Sequence, residues 1–325
     1  MIRVGPAGTK ARFIEPMLAL AAQQLPEGPQ WGYELKLDGY RAIAIKSAGR
    51  IQLRSRRNND FSGRYPAIAQ GLSGLPAETV LDGEVVALDE EGRPSFNTLQ
   101  NFGSLKLPVF YYAFDVPILG GKDLRSEPLE TRRALLVSKA LSKLKDPIRY
   151  SPELEASLTD LVKSVREQKL EGLIAKRRGS LYESGKRSGA WLKMRINKGQ
   201  ELVIGGYVPG PHVFDSLLVG YYEKRRLIFM AKVRNGFTPA LRQKVARSFR
   251  RLGVDKCPFD NLPEPKSARR GKALTAEFMR ECCWLRPELV AEIEFTEWTE
   301  SDHLRHSKFV ALREDKDARE VRKEF

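Results

Sequence analysis

The chain is 325 residues long, 42% hydrophobic and 30% charged, which excludes a disordered chain and leaves room for two domains, each with its own core. Lys and Arg outnumber Asp and Glu by 56 to 41, a formal net charge of +15. The excess is 31 against 22 in residues 1–196 and 25 against 19 in residues 197–325, so a basic tail on a neutral domain is excluded and a polyanionic partner, foremost nucleic acid, is favoured over a surface that is merely basic. The three cysteines (Cys257, Cys282, Cys283) form no CxxC pair and the three histidines are His212, His303 and His306. These numbers support neither a zinc site nor a disulfide framework, and leave little material for Ser-His-Asp or Cys-His catalysis. Residues 1–10 lack a signal-peptide core and no apolar run is long enough to span a membrane, so the expected location is cytoplasmic.

In chain order, residues 1–30 are punctuated by Pro and Gly and hold one short apolar run, 16–22, expected to pack on the first sheet. The stretch YELKLDGYR at 33–41 puts Tyr33, Leu35 and Leu37 on one side of a two-residue period and Glu34, Lys36 and Asp38 on the other. It predicts a strand with a solvated charged face, running into a glycine turn. Residues 42–46 and 51–54 alternate about a Ser-Ala-Gly-Arg turn and predict a hairpin whose basic exit, Ser55-Arg56-Arg57, lies close to Lys36. A short helix is expected near 65–72, then a buried strand at 79–88 interrupted by Asp82-Gly83-Glu84. A carboxylate buried in mid-strand costs several kcal/mol unless matched, so Glu84 requires a cation, a hydroxyl or a metal. PVFYYAFDV at 108–116 is strongly β-prone, and 128–144 and 152–168 carry helical apolar spacing with Pro at their starts. Glu171-Gly172 leads a short apolar strand into Lys176-Arg177, and WLKMR at 191–195 alternates large apolar with cationic residues, placing Lys193 and Arg195 on one face. Asn197-Lys198-Gly199 reads as a hinge. Beyond it, short strands at 202–208, 217–223, 227–233 and 289–298, a helix at 239–252 and a polar loop at 258–272 point to a small β-barrel of the oligonucleotide-binding kind.

Single short motifs are weak evidence, but their number and order are strong. K-x-D-G at 36–39, Ser55-Arg56, D-G-E at 82–84, the aromatic strand at 110–114, E-G-L-I-A-K at 171–176 and W-L-K-M-R at 191–195 resemble the nucleotidyltransferase motifs of the covalent ligase and capping-enzyme superfamily. L-R-H-S-K-F-V-A-L-R-E-D-K at 304–316 resembles the last motif of ATP-dependent DNA ligases. The resemblance covers about residues 10–320, and E-L-K-L-D-G-Y-R, the run at 200–207 and the final motif are most similar to the ligase domain of the bacterial ligase D end-joining enzymes. It implies an α+β fold: a nucleotidyltransferase (adenylation) domain of antiparallel sheets and flanking helices at 1–196, then an OB-fold β-barrel at 197–325.

By the same resemblance, Lys36 is the nucleophile that attacks the α-phosphate of ATP and holds AMP as a phosphoramidate. Bringing a lysine from about 10.4 to neutrality takes roughly three pKa units, on the order of 4 kcal/mol, and Lys193 and Arg195 are the cations placed to supply it while holding phosphate oxygens. Glu34 helps place adenine, Phe114 stacks on it, and Arg56 with Glu84 holds the ribose. Glu171 ligates a divalent metal, with Glu84 and Asp38 as helpers, and hard oxygen donors favour Mg2+ with Mn2+ as substitute. Arg41 faces the AMP phosphate or the 5′-phosphate of a nick, and Arg305 covers the triphosphate during lysine adenylylation. Arg313 and Lys316 read equally as solvated charges and as pyrophosphate ligands. Two departures stand out: Arg195 replaces the lysine of many relatives, and His306-Ser307 replaces the Phe-Pro of eukaryotic ones. The implied activity is sealing of nicked or broken duplex DNA by a monomer in repair and end joining, with an end-binding protein as candidate partner. An RNA ligase or capping-type nucleotidyltransferase and a catalytically silent nucleic-acid-binding module are the alternatives. The first shares the Lys36 chemistry; the second would lack the lysine or the carboxylates, and none is missing.

Overall fold

Residues 33–41 do not form one strand; they carry the chain from one sheet into another. The computed structural model describes residues 8–100, 108–196, 199–211, 213–265, 273–295, 297–298 and 304–324, apart from the side chains of 97, 297, 298 and 305. The chain divides into two units, Met1–Asn197 and Lys198–Phe325. Among the described residues no helix is long and apolar enough to cross a membrane.

The strands of the first unit are β1 (Leu20–Ala21), β2 (Trp31–Leu35), β3 (Tyr40–Ser47), β4 (Arg50–Ser55), β5 (Thr79–Ala87), β6 (Val109–Leu119), β7 (Lys122–Asp123), β8 (Ile148–Tyr150), β9 (Gly172–Arg177) and β10 (Trp191–Arg195). One sheet has the order β1-β10-β9-β2; the other runs β4-β3-β5-β6-β7, with β8 parallel on β6. The helices are α1 (Pro66–Gly71), α2 (Phe96–Gln100), α3 (Leu129–Leu135) and α4 (Leu158–Glu167). The apolar run at 16–22 supplies β1, which pairs parallel with β10, and its Met17 is fully buried.

The first sheet sorts its side chains by period two. Tyr33, Leu173, Ala175 and Met194 pack with Leu161 and Val165 of α4 in one cluster. On the opposite face, Glu34 lies across from Ile174 and Ile174 from Lys193, Lys176 from Trp191, and Gly172 from Arg195. This face turns toward Ile43, Ile45, Val80, Phe114 and Ile118 of the second sheet, with Trp191 in the shared cluster. The charged face expected in solvent is therefore interior: Glu34 is 2% exposed.

Three glycines of the sequence motifs are fixed by lack of space. A Cβ would fall 2.2 Å from the Val85 carbonyl oxygen at Gly39, 2.5 Å from that of Tyr112 at Gly83 and 2.0 Å from that of Met194 at Gly172. Elsewhere, helix starts differ from expectation. α4 begins at Leu158, not at Pro152, because Ser157 Oγ accepts the Asp160 N–H at 3.1 Å and supplies the stronger cap. The helix predicted over 128–144 ends its α-helical part at Leu135 and continues as a π-helical turn, Leu136–Ala140.

The second unit contains β11 (Gly199–Gly210), β12 (Val213–Glu223), β13 (Arg226–Val233), α5 (Pro239–Arg247), β14 (Gly253–Val254), β15 (Cys283–Glu294), β16 (Glu297–Trp298), β17 (Leu304–Arg305) and β18 (Lys308–Leu312). The main sheet runs β13-β12-β11-β15-β14, with β18 further along the same edge of β15 that carries β14, and β16 pairs with β17. Apolar residues cover both faces of this sheet: Leu202, Ile204 and Ile293 pack with Val245 and Phe249, whereas Val203, Leu218 and Val290 pack with Phe259 and Val321. The strand expected over 289–298 is longer at its start and broken after Glu294, and β18 arises within the terminal motif read for chemistry. Of the expected hinge, residues 197 and 198 lie outside the described residues, as do residues 266–272 of the polar loop.

Gly172→Ala forces backbone of β9 and β10 apart and is expected to destabilise the protein by about 1–3 kcal/mol. Gly63→Ala, where nothing lies within 4 Å of the new methyl, is expected to stay within about 0.5 kcal/mol. Urea unfolding followed by circular dichroism compares the two.

Candidate active site

Lys36 follows the last residue of β2, and its N–H donates to the Gly172 carbonyl at 2.9 Å, which continues the pairing of β2 with β9. Glu171 precedes β9, and its carbonyl accepts the Ile196 N–H at 2.9 Å. Two strand ends thus pin the ammonium and the carboxylate together: Lys36 Nζ forms a short ion pair with Glu171 Oε1, and Arg195 Nε stands 3.3 Å from the same oxygen. Lys193 lies one pleat further along this face, opposite Ile174.

Two residues back along β2, the Glu34 carboxylate is gripped by two cations. Arg133 of α3 donates to it through Nη1, and Lys176 Nζ stands 2.9 Å from it. Burial pushes the Lys176 ammonium pKa down, with Arg133 acting in the same direction and Glu34 against it. Lys176 Nζ also lies 4.1 Å from the Phe114 ring centre and 4.4 Å from that of Trp191, a cation–π arrangement.

Across the cleft, Arg41 makes a bidentate pair with Asp82, at 2.6 Å from Nε to Oδ1 and 2.7 Å from Nη2 to Oδ2, and its Cζ lies 4.6 Å from the Phe114 ring centre. Tyr182 donates its hydroxyl to Asp82 Oδ2 at 2.6 Å; burial first, and the Asp82 charge second, raise the phenol pKa well above its ordinary value. Glu84 stands opposite Arg41 on β3 and opposite Tyr112 on β6. Arg56 follows β4, with its N–H donating to the Arg41 carbonyl at 3.2 Å. Asp38 Oδ2 accepts the Phe96 N–H at 3.0 Å, at the start of α2.

Lys36, Glu171 and Arg195 thus meet at one oxygen, Glu34 and Phe114 share Lys176 as a contact, and Arg41 reaches Phe114. Glu84 and Glu171 stand on different sheets, and among the described residues no group of three or more His, Cys, Asp or Glu side chains converges. A divalent cation here would have at most one or two carboxylates, with water and substrate oxygens completing its shell. That donor set suits Mg2+, which keeps waters and binds through phosphates. Sequence reasoning missed Arg133, Asp82 and Tyr182 as parts of the site. Asp82 carried a signal: the acid-Gly-acid run lies in a buried strand, so both acids needed partners. Arg133 carried a fainter one as the second of two adjacent arginines in a short amphipathic helix.

In the second unit, Arg305 ends β17 and its side chain is outside the described residues. Arg313 is neither a solvated charge nor an open ligand. It is 7% exposed, pairs with both Asp315 oxygens at 2.9 and 3.0 Å and reaches Glu292 Oε2 at 2.9 Å. Lys316 bonds Glu201 at 3.0 Å. A buried guanidinium holds strands together more cheaply than it stays empty-handed, and here it ties residues after β18 to β15.

The chain matches two family profiles: the ATP dependent DNA ligase domain over residues 16–195 and the ATP dependent DNA ligase C terminal region over 210–316. It is 38% identical to the multifunctional non-homologous end joining protein LigD of Pseudomonas aeruginosa, over 98% of this chain and 38% of that protein. With the protein of the same description from Mycolicibacterium smegmatis the identity is 35%, over 94% and 39%. The chain therefore spans about two-fifths of the length of these relatives. Among solved structures, mycobacterial DNA ligase D complexed with ATP and MES superposes with a TM-score of 0.68 at 32% identity, covering 95% of this chain and 98% of that one.

The Arg313–Asp315 pair gives a measurable pH signature. Burial works against the Asp315 carboxylate, but Arg313 overrides it, and the pKa lies below the ordinary 3.8. A depressed carboxylate contributes stability that is present above the unfolded value and lost as pH falls through the folded one. Asp315→Asn is expected to cost about 3 kcal/mol at neutral pH, with the gap to wild type narrowing as pH falls below about 4. Denaturant titrations between neutral and acid pH read both values.

Proposed function

The chain belongs to the ATP-dependent DNA ligase family, and from that premise we propose that it seals 5′-phosphate/3′-hydroxyl breaks in duplex DNA through a lysyl-AMP at Lys36. The family joins a nucleotidyltransferase domain to an OB-fold domain, in the order of the two units seen here. One observation carries the reading: a lysine fixed at a strand end, on a sheet face with Lys193 and Arg195, with a single carboxylate shared between lysine and arginine.

Lys36 attacks the α-phosphorus of ATP as the free amine. The phosphorus–nitrogen bond forms as the bond to the bridging oxygen breaks, pyrophosphate leaves with the electron pair, and the amine proton passes to solvent. Lys193 and Arg195 neutralise the phosphate oxygens as charge shifts toward the leaving group. A 5′-phosphate oxygen then takes the adenylyl group from Lys36, and the 3′-hydroxyl displaces AMP to close the strand. Arg41 faces the phosphates, while Glu34 and Phe114 receive the base and Arg56 and Glu84 the ribose. Glu171, with Glu84, would hold Mg2+, which when bound supplies charge neutralisation at the phosphates. The Lys36–Glu171 ion pair opens to free both groups.

Nicked or broken DNA as substrate is supported by the family and by a basic excess present in both halves of the chain. The end-joining context rests on the similarity to the LigD relatives, which are end-joining proteins. The reading extends to a monomer in the bacterial cytosol, brought to breaks by an end-binding protein.

Incubation with ATP and Mg2+ is expected to add one adenylyl mass to the protein. Pyrophosphate removes it, nicked DNA discharges it, and Lys36→Ala never acquires it. A full adenylyl mass on Lys36→Ala would sink the assignment; a label taken from GTP, or discharged only by RNA, would move it to a capping-type or RNA-joining enzyme.

A further inference from the structure

We propose that Arg133 and Lys176 are positioning residues that set the nucleobase preference of the Lys36 site by holding Glu34 as a fixed, acceptor-only edge. The inference rests on Lys36 being the nucleotidylated residue. A nucleotide with its α-phosphorus at Lys36 has its base a ribose away. Two residues back along β2, about 6.8 Å, the same face presents Glu34, flanked across the strand by Ile174.

Glu34 is held from two sides by groups that are themselves fixed. The Arg133 guanidinium donates to the Tyr150 hydroxyl from Nε at 3.0 Å and from Nη2 at 2.6 Å, and Nη2 also donates to the Ser151 carbonyl at 3.2 Å. Lys176 is seated against the Phe114 and Trp191 rings. With both cations donating to it, the Glu34 carboxylate offers only lone pairs to a ligand. It accepts from an amino group and repels a carbonyl, and adenine carries an amino group at C6 where guanine carries an oxygen. Removing one cation leaves a buried carboxylate half-neutralised. It then turns toward the remaining cation and away from the ligand, and the penalty against a carbonyl falls.

Space beside the clamp makes the test practicable. A cavity of about 210 Å³ is lined by Gly32, Glu153 and Arg178 together with Arg133 and Lys176. A shorter side chain at 133 therefore enlarges an existing void instead of emptying a packed core.

The experiment measures the rate and half-saturating concentration for covalent labelling of the full chain by ATP and by GTP. Wild type is compared with Arg133→Met, Lys176→Met, Arg133→Lys and Tyr150→Phe. In Arg133→Met and Lys176→Met the preference for ATP over GTP is expected to fall by about tenfold or more, mainly through a higher half-saturating ATP concentration. Arg133→Lys restores part of it. Tyr150→Phe, which keeps the guanidinium but removes its two bonds to the hydroxyl, shifts the ratio in the same direction by less and decides the matter should the methionine variants fail to fold. Parallel losses with both nucleotides and an unchanged ratio would overturn the proposal. Wild-type protein that takes label from neither nucleotide would instead overturn the reading of Lys36, and the inference with it.

Discussion

The crossing between the two sheets of the first unit is the constraint on which the site depends. Lys36, Leu37, Asp38 and Gly39 are all the chain has between β2 and β3, and at Gly39 a single methyl would sit 2.2 Å from the Val85 carbonyl oxygen. So short a link, pressed onto β5, fixes where the lysine leaves its strand. It also fixes Arg41, one residue into β3, relative to that lysine. Asp38 accepts the Phe96 N–H and anchors the crossing from a third direction. The lysine's place is set by backbone, through its N–H on the Gly172 carbonyl.

Around this crossing, charge is buried in matched sets. Glu34 has Arg133 and Lys176, Asp82 has Arg41 and the Tyr182 hydroxyl, Glu171 has Lys36 and Arg195. Asp115 and Arg132 form a bidentate pair with both side chains fully buried. Taking an ion out of water costs several kcal/mol, and well-packed apolar residues often do as well or better, so stability alone does not explain four such sets. Their distribution separates two kinds of work. Arg132 also bonds the Glu127 and Ser180 carbonyls, and its contacts lock α3 and the loop after β9 to β6. The Glu171 set, by contrast, has two cations on one oxygen, an arrangement that a phosphate group can take over by offering more acceptor oxygens to the same donors.

Pattern made much of this legible. Period-two alternation placed Lys193 with Arg195 and Lys36 with Glu34, and the strands β3, β4, β5, β6, β9 and β10 follow the runs that predicted them, because local alternation is what a sheet face requires. Partnership was another matter. Glu34 and Arg133 are 99 residues apart, and Asp82 and Tyr182 are 100 apart; nothing local says that a helix arginine or a loop tyrosine will end at a given carboxylate. The expectation of a solvated charged face at Glu34 failed for the same reason, since period gives the side of a strand and not what covers it. The glycines of the motifs carried a different kind of information. Their role is a clash with backbone from a neighbouring strand, visible only once register is known.

Arg313 shows the same limit of local pattern in the second unit. It sits in a segment rich in charge, where composition alone predicts solvent, yet it is buried with Asp315 and Glu292 while Lys316 reaches Glu201. The partners lie on β11 and β15, so the segment after β18 is stitched to the central strands of its own sheet. A short run of alternating charge can therefore be a fold device when the strand before it delivers the charges to a sheet interior. In this chain that strand, β18, is itself short and pairs with β15 alone among the described strands of the main sheet. The ion pairs supply the directional fastening that five residues of strand pairing would otherwise leave to a single ladder.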